Sequence, residues 1–254
     1  MDTAFNKIKK MKHILIFVLF TSLHLVAQKN IEVSYLIQYN TEIPNQRTGT
    51  LQIDFKQNKS LFIVSKGNLE SGVTQKDFVI KVVQKAVEGY TVMDKSKDSL
   101  KTKIGINNGT YIVCETIPVF KWEIENNETK KIGDYICKKA TTTFRGRNYI
   151  AWYTLDFTTQ FGPWKFNGLP GLILEVYDET DRFHWVVLKI KPSNNEIEFP
   201  KDESKYAIID LKKYVELRYD SPLNTNDALL PRGAMVTTFK GPRNGIEIKF
   251  EWEY

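Results

Sequence analysis

From residue 31 onward the chain alternates. Ile31, Val33, Tyr35, Ile37 and Tyr39 are separated by mostly more polar residues, and a period of two puts one such set on a single face of a strand. Leu51, Ile53 and Phe55 repeat the pattern. Short β-type runs at 61–64, 78–83 and 90–93 are bounded by turn formers. Asn107-Asn108-Gly109 is a hairpin signal between two further runs. Residues 119–124 read as a strand with Phe120, Trp122 and Ile124 on one face, followed by a polar turn at 125–130. Runs 135–144 and 148–154 pair across Arg145-Gly146-Arg147, and 172–177 pairs with 183–190 across 178–181. The clearest alternation is the last. Ile246, Ile248, Phe250, Trp252 and Tyr254 face one way, and Glu247, Lys249, Glu251 and Glu253 face the other. One helix is expected, capped by Asp210, with Leu211, Tyr214, Val215 and Arg218 falling at i, i+3, i+4 and i+7. A polar, Pro-bounded loop at 223–232 follows. The pattern predicts a mainly β fold: a curved antiparallel sheet or half-barrel, one face solvated, with one or two short helices.

The first residues read as a leader. Lys7, Lys9, Lys10 and Lys12 form a basic start, and 14–26 is an apolar run too short to span a bilayer. Leu25-Val26-Ala27 suits signal peptidase, so 1–27 is read as a signal peptide and 28–254 as a single β-rich domain. Met1 and Met11 are both candidate starts. No transmembrane helix is expected in the mature chain. The expected location is the periplasm, the periplasmic face of the outer membrane, or outside the cell.

Composition narrows the function classes. The formal net charge is +6, and the leader's four Lys against Asp2 account for half of it. The remaining charges are interspersed, so nucleic acid is not an expected partner. Export places Cys114 and Cys137 where a disulfide can form. Their spacing leaves two readings open, a bridge or two buried thiols.

The mature chain holds one histidine, His184. A multi-histidine zinc site is excluded, and no metal or cofactor is expected. No metalloprotease, nucleophile-elbow, P-loop or dinucleotide pattern is present. His184 lies between Phe183 and Trp185, so on a strand it points away from them. A Cys137–His184 nucleophile pair is the sharper alternative. Glu175, Asp178, Glu179 and Asp181 read as a solvated turn rather than a calcium loop. Arg145 and Arg147 flank a glycine, as anion sites do, and as charged hairpin tips also do.

The densest stretch is Phe161-Gly162-Pro163-Trp164-Lys165-Phe166-Asn167, followed by Gly168-Leu169-Pro170-Gly171-Leu172-Ile173. Pro170 and Gly171 fit the centre of a type II turn, with Gly171 at positive φ. The large rings are expected to fold back onto one end of the sheet. Two readings stand: a packed corner, or an aromatic lip over a ligand or partner, formed by Phe161, Trp164, Phe166, Leu169 and Pro170.

The hexapeptide at 168–173 resembles the signature of the GLPGLI family of exported bacterial proteins. The likeness extends to Trp122, Tyr135-Ile136-Cys137, Gly146-Arg147 and Ala151-Trp152-Tyr153-Thr154. It implies export from an outer-membraned bacterium and transfers no catalytic residue. A looser similarity is to the half-barrels of periplasmic lipoprotein carriers. With no catalytic pattern and an aromatic loop, the expectation is a non-catalytic envelope binding or adaptor protein. Its partner would be an apolar small molecule or an outer-membrane transporter. The alternatives are an envelope hydrolase using Cys137 or the carboxylates near Asp178, and a self-assembling surface protein using the edge of the 246–254 strand.

Overall fold

The computed structural model describes residues 30–42, 44–65, 71–75, 78–82, 88–106, 109–201, 203–220 and 242–253. The predicted leader, the 223–232 loop and Tyr254 lie outside them. The strands are β1 (Asn30–Tyr39), β2 (Asn45–Asp54), β3 (Lys59–Val64), β4 (Ser71–Gln75), β5 (Phe78–Val82), β6 (Gly89–Asp94) and β7 (Ser99–Ile106). They continue as β8 (Gly109–Glu115), β9 (Glu123–Ile132), β10 (Tyr135–Phe144), β11 (Arg147–Thr154), β12 (Leu172–Asp178), β13 (Phe183–Ser193) and β14 (Ala207–Asp210). Helix α1 (Leu211–Val215) runs on into a π-helical turn, Glu216–Asp220.

Twelve strands form one sheet in the order β14-β8-β7-β6-β3-β2-β1-β13-β12-β11-β10-β9, while β4 and β5 pair separately. Most neighbours are antiparallel, but β14 joins β8 in parallel. The sheet is therefore mixed rather than purely antiparallel. It is also open, with β14 and β9 at its ends, and not closed into a barrel.

Alternation explains β1. Ile31, Val33, Tyr35 and Ile37 are buried while the intervening residues are half-buried. That face packs with Leu51 and Ile53 of β2, Val176 of β12 and Trp185 of β13. Segment 155–171 lies on the same core. Phe166 is fully buried, with ring centroids 4.9 Å from Tyr149, 5.3 Å from Trp185 and 5.5 Å from Phe120. Asp210 caps α1 as its sequence implies, accepting from Lys213 N at 2.7 Å.

The turn at 168–171 differs from its expectation. Gly168 holds the positive φ, 94°. Gly171 is needed for closeness instead: a Cβ there would lie 2.1 Å from the Thr154 carbonyl oxygen.

Two predicted strands are corrected. Residues 116–122 belong to no strand. Side chains hold them: Trp122 Nε1 donates to Asn167 O at 2.8 Å, Asn167 Nδ2 to Pro118 O at 3.0 Å, and Thr142 Oγ1 to Lys121 O at 3.0 Å. The supposed polar turn at 125–130 is part of β9. At the other end, 242–250 forms no strand and 251–253 is a 3-10 turn. Phe250 is buried, but through contacts with Tyr219 and Trp252 rather than through a ladder.

Candidate functional site

The β10–β11 hairpin turn brings Arg145 to the end of β8. Arg145 Nη2 lies 2.7 Å from Glu115 Oε2, its Nη1 pairs with Glu247, and its Nε lies 2.9 Å from Glu251 Oε1. Lys165, from the aromatic loop, reaches Glu115 Oε1 at 2.5 Å and both oxygens of Glu247 at 3.0 Å. The side chains of Arg145, Lys165, Glu115 and Glu247 are each no more than 6% exposed. Two cations and two carboxylates balance, which is the condition for burying charge at all. The Phe144 and Phe250 rings flank the guanidinium at 4.9 and 5.3 Å.

The charges shift one another. Burial alone would push the Glu115 carboxyl up, but the nearby Lys165 and Arg145 outweigh it and hold it below the usual carboxylate value. Burial would lower Arg145, and Glu247 and Glu115 raise it instead. Arg145 is a fixed cation.

Lys165 and Glu247 form part of the wall of a cavity of about 330 Å³, near the lower end of ligand pockets, about 300–1,000 Å³. Aromatic groups from four places face it: Tyr39 at the end of β1, Phe183 on β13, Trp164 in the loop, and Tyr214 and Tyr219 on α1 and its π turn. Burial pushes Tyr39, Tyr214 and Tyr219 up, so their hydroxyls stay protonated. Trp164 has φ 53°, the left-handed region, which costs a bulky residue about 1–3 kcal/mol. Its ring stacks on Trp185 at 6.1 Å and 16°, and Lys165 Nζ lies 5.3 Å from its centroid.

The structure separates the predicted lip residues. Phe161, Phe166 and Leu169 are interior, Pro170 is exposed on its own turn, and Trp164 alone of the five faces the cavity. Arg145 and Arg147 are no anion tip. Arg147 is bound to Asp178, Gly245 O and Asn244 O. The acidic group at 175–181 forms no single site, although Glu175 and Asp181 both meet His184. Asp178 clamps its own turn, accepting from Phe183 N at 2.8 Å and from Thr180. Glu179 accepts from Asn148, and Asp181 pairs with His184.

His184 does point away from Phe183 and Trp185. Its Nε2 lies 3.1 Å from Glu175 Oε1 and its Nδ1 3.3 Å from Asp181 Oδ1, so neither ring nitrogen serves Cys137. Burial, with the Glu175 charge, pushes the Cys137 thiol up to about 11. That is the state of an inert core thiol. Cys114 on β8 and Cys137 on β10 are not joined by a disulfide. Cys137 and the carboxylates near Asp178, the two candidate sets for an envelope hydrolase, thus share no site. Among the described residues no group of three His, Cys, Asp or Glu could hold a metal, and no helix is long and apolar enough to cross a membrane.

A family described as "Protein of unknown function (Porph_ging)" matches residues 142–175, a span that includes the 168–173 hexapeptide. That match does not carry the GLPGLI name the hexapeptide suggested. No curated protein matches the sequence. Two solved structures of PNGF-II, in C2 and P21 crystals, are similar to the chain at 17% identity, with TM-scores of 0.49 and 0.48. Each covers 74% of this chain, which spans 32% and 33% of those chains. An uncharacterized conserved protein from Thermus thermophilus is similar at 11% identity and TM-score 0.39, over 72% of this chain and 91% of its own.

The expectation of a non-catalytic binding or adaptor protein is corrected, and with it the lean against an enzyme. Both rested on an accessible aromatic lip and on the lack of any gathered ionisable groups. The lip is mostly core, and four ionisable side chains from distant segments converge, two of which, Lys165 and Glu247, line a cavity. Sequence reading gave Glu115 no role and put Glu247 on the polar face of a strand, whereas it is buried. The signal available was Lys165, a cation inside a core-bound aromatic run, which requires a buried partner.

Proposed function

We propose that the protein is an envelope hydrolase whose substrate enters the cavity beside Lys165 and Glu247. The observation that carries this reading is a carboxylate and an ammonium 3.0 Å apart, both nearly enclosed, at the wall of an aromatic-rich cavity. Glu247 is the general base. It takes a proton from the attacking water as that oxygen bonds to the substrate. Lys165 faces the substrate oxygen where negative charge develops. The leaving group takes up the proton that Glu247 received.

The lining favours a polar, ring-bearing substrate of the carbohydrate class. Trp164, Tyr39 and Phe183 offer apolar ring faces, while Asn244, Thr102 and Glu42 offer hydrogen-bonding groups. Lys165, Arg218, Glu42 and Glu247 make the same space a poor host for an apolar small molecule. Membership of the GLPGLI family, a signal peptide at 1–27, a single domain at 28–254 and a periplasmic or extracellular site belong to this proposal. They are supported by the intact hexapeptide and by the leader pattern.

The test is to incubate the exported protein with a panel of oligosaccharides, aryl glycosides and glycopeptides, and to look by mass spectrometry for products that have gained one water. The parent should release such products, and Glu247→Gln should do so about 10²–10⁴-fold more slowly. A parent inert on the whole panel, or a Glu247→Gln variant as active as the parent, rejects the reading.

A further inference from the structure

We infer that Arg147 and Tyr149 are positioning residues for Glu247, an inference that rests on the hydrolase reading above. Glu247 comes from a segment with no ladder to hold it. Its main chain is instead gripped by two side chains of β11. Arg147 Nη2 donates to Asn244 O at 3.3 Å and its Nε to Gly245 O at 2.8 Å. Tyr149 Oη donates to Ile246 O at 3.0 Å. Arg147 and Tyr149 are two apart on one strand and so share a face. Together they engage three consecutive carbonyls and deliver the next residue, Glu247, to Lys165.

The grip is itself fixed. Arg147 Nη1 lies 3.1 Å from Asp178 Oδ2, and the Phe183 ring lies 4.8 Å from the guanidinium carbon. From the other side Tyr219 Oη donates to Glu247 O at 2.7 Å. Beyond Glu247, Ile248 N and Lys249 N both donate to Arg145 O, at 2.9 and 3.1 Å. Gly146 makes room for that contact, since a Cβ on it would lie 2.7 Å from Ile248 Cγ1. Neither Arg147 nor Tyr149 is among the residues lining the cavity. Their influence on the chemistry passes through the placement of Glu247.

The experiment reads Lys165 and needs no substrate. Each variant is treated with acetic anhydride, and the acetylation rate of Lys165 is followed by peptide mass spectrometry. Lys139 of β10, paired with Glu125 and Glu128, is the internal control. Arg147→Met should free the 244–247 segment and raise Lys165 acetylation about tenfold or more, as expected for losing hydrogen bonds to a charged group. Lys139 should not change, and Arg147→Lys should restore part of the protection. A general loosening of the fold would raise both lysines and would overturn the inference. So would an Arg147→Met protein whose Lys165 is as protected as in the parent while Glu247→Gln unmasks it. Should Arg147→Met fail to fold, Tyr149→Phe removes one hydroxyl only. An unchanged Lys165 rate in that variant overturns the inference, and a selective rise supports it. If the substrate panel is inert but acetylation follows this pattern, the hydrolase reading fails and the positioning role stands.

Discussion

Lys165 and Glu247 stand 82 residues apart in the chain, yet the Lys165 ammonium lies 3.0 Å from each oxygen of the Glu247 carboxylate. It also binds Glu115, so one buried cation serves two carboxylates. Replacing it with Met leaves Glu115 and Glu247 facing Arg145 alone. Lys165→Met should cost about 3–5 kcal/mol, the usual penalty for breaking a buried pair from one side. Urea denaturation at neutral pH measures it, and a cost below about 1 kcal/mol would place the cluster in water.

Acid should undo the same cluster. The folded Glu115 carboxyl is held below its ordinary value, and so is Glu175, where burial is outweighed by hydrogen bonds from His184 and Lys130. A depressed folded value adds stability above the unfolded carboxylate value of about 4.3. That stability is lost as pH falls through the folded values. Urea midpoints should therefore drop steeply below about pH 4.3, and Glu115→Gln should flatten that limb. A parent whose midpoint is level between neutral pH and strong acid contradicts the assignment.

Two glycines separate two physical causes. Gly171→Ala would set a methyl 2.1 Å from Thr154 O, so the β11 end or the 168–171 turn must move. The expected loss is about 3 kcal/mol or more. Gly133→Ala meets open space but sits at φ 58°, so its loss should be about 1–2 kcal/mol. Thermal melting of the two variants ranks them, and the reverse order would contradict the packing described for Gly171.

The cysteines should react unequally. Cys137 is fully enclosed and its thiol is pushed up to about 11, while Cys114 is half-buried. Iodoacetamide on the native protein should label Cys114 first, and Cys137 only on unfolding. Intact mass under non-reducing conditions should show both thiols as reduced. A mass lower by two hydrogens would reveal a bridge.

Much of the sheet was legible because its signals are local. The β1 alternation places Val33, Tyr35 and Ile37 in the core, and β7 and β8 pair as the expected hairpin up to Ile106 and Gly109, Asn107 and Asn108 lying outside the described residues. Asp210 caps the helix it precedes. Local patterns failed where long-range hydrogen bonds replaced the ladder. Residues 246–250 alternate in sequence, yet Glu247 is buried and Ile246 and Ile248 only half-buried, because Arg145 and Tyr149 take up that segment's backbone groups and it never pairs as a strand. Phe120 and Trp122 were expected on one face of a strand, and their rings do stack at 5.6 Å, but on an unpaired segment. The candidate site was illegible for the same reason. Glu115 ends one strand, Lys165 lies in a loop and Glu247 near the end of the chain, and no spacing rule joins them. Trp164 was legible as a notable residue, while its neighbours proved to be core.

The two ends of the sheet bear on how copies of the molecule meet one another. An unpaired strand edge invites addition of another strand, and natural sheets blunt such edges with shortness, charge or irregularity. At one end β14 is four residues long and turns at once into α1. At the other, β9 carries Glu123, Glu125, Glu128, Lys130 and Lys131, and its register with β10 shifts at Lys138/Lys139. The hydrophobic alternation at 246–250, which as a free strand would have offered an apolar edge, is folded down onto the β10–β11 turn. The arrangement that brings Glu247 to Lys165 thus also removes a template for fibre growth, and a protein held at high concentration should remain dispersed for as long as that segment stays docked.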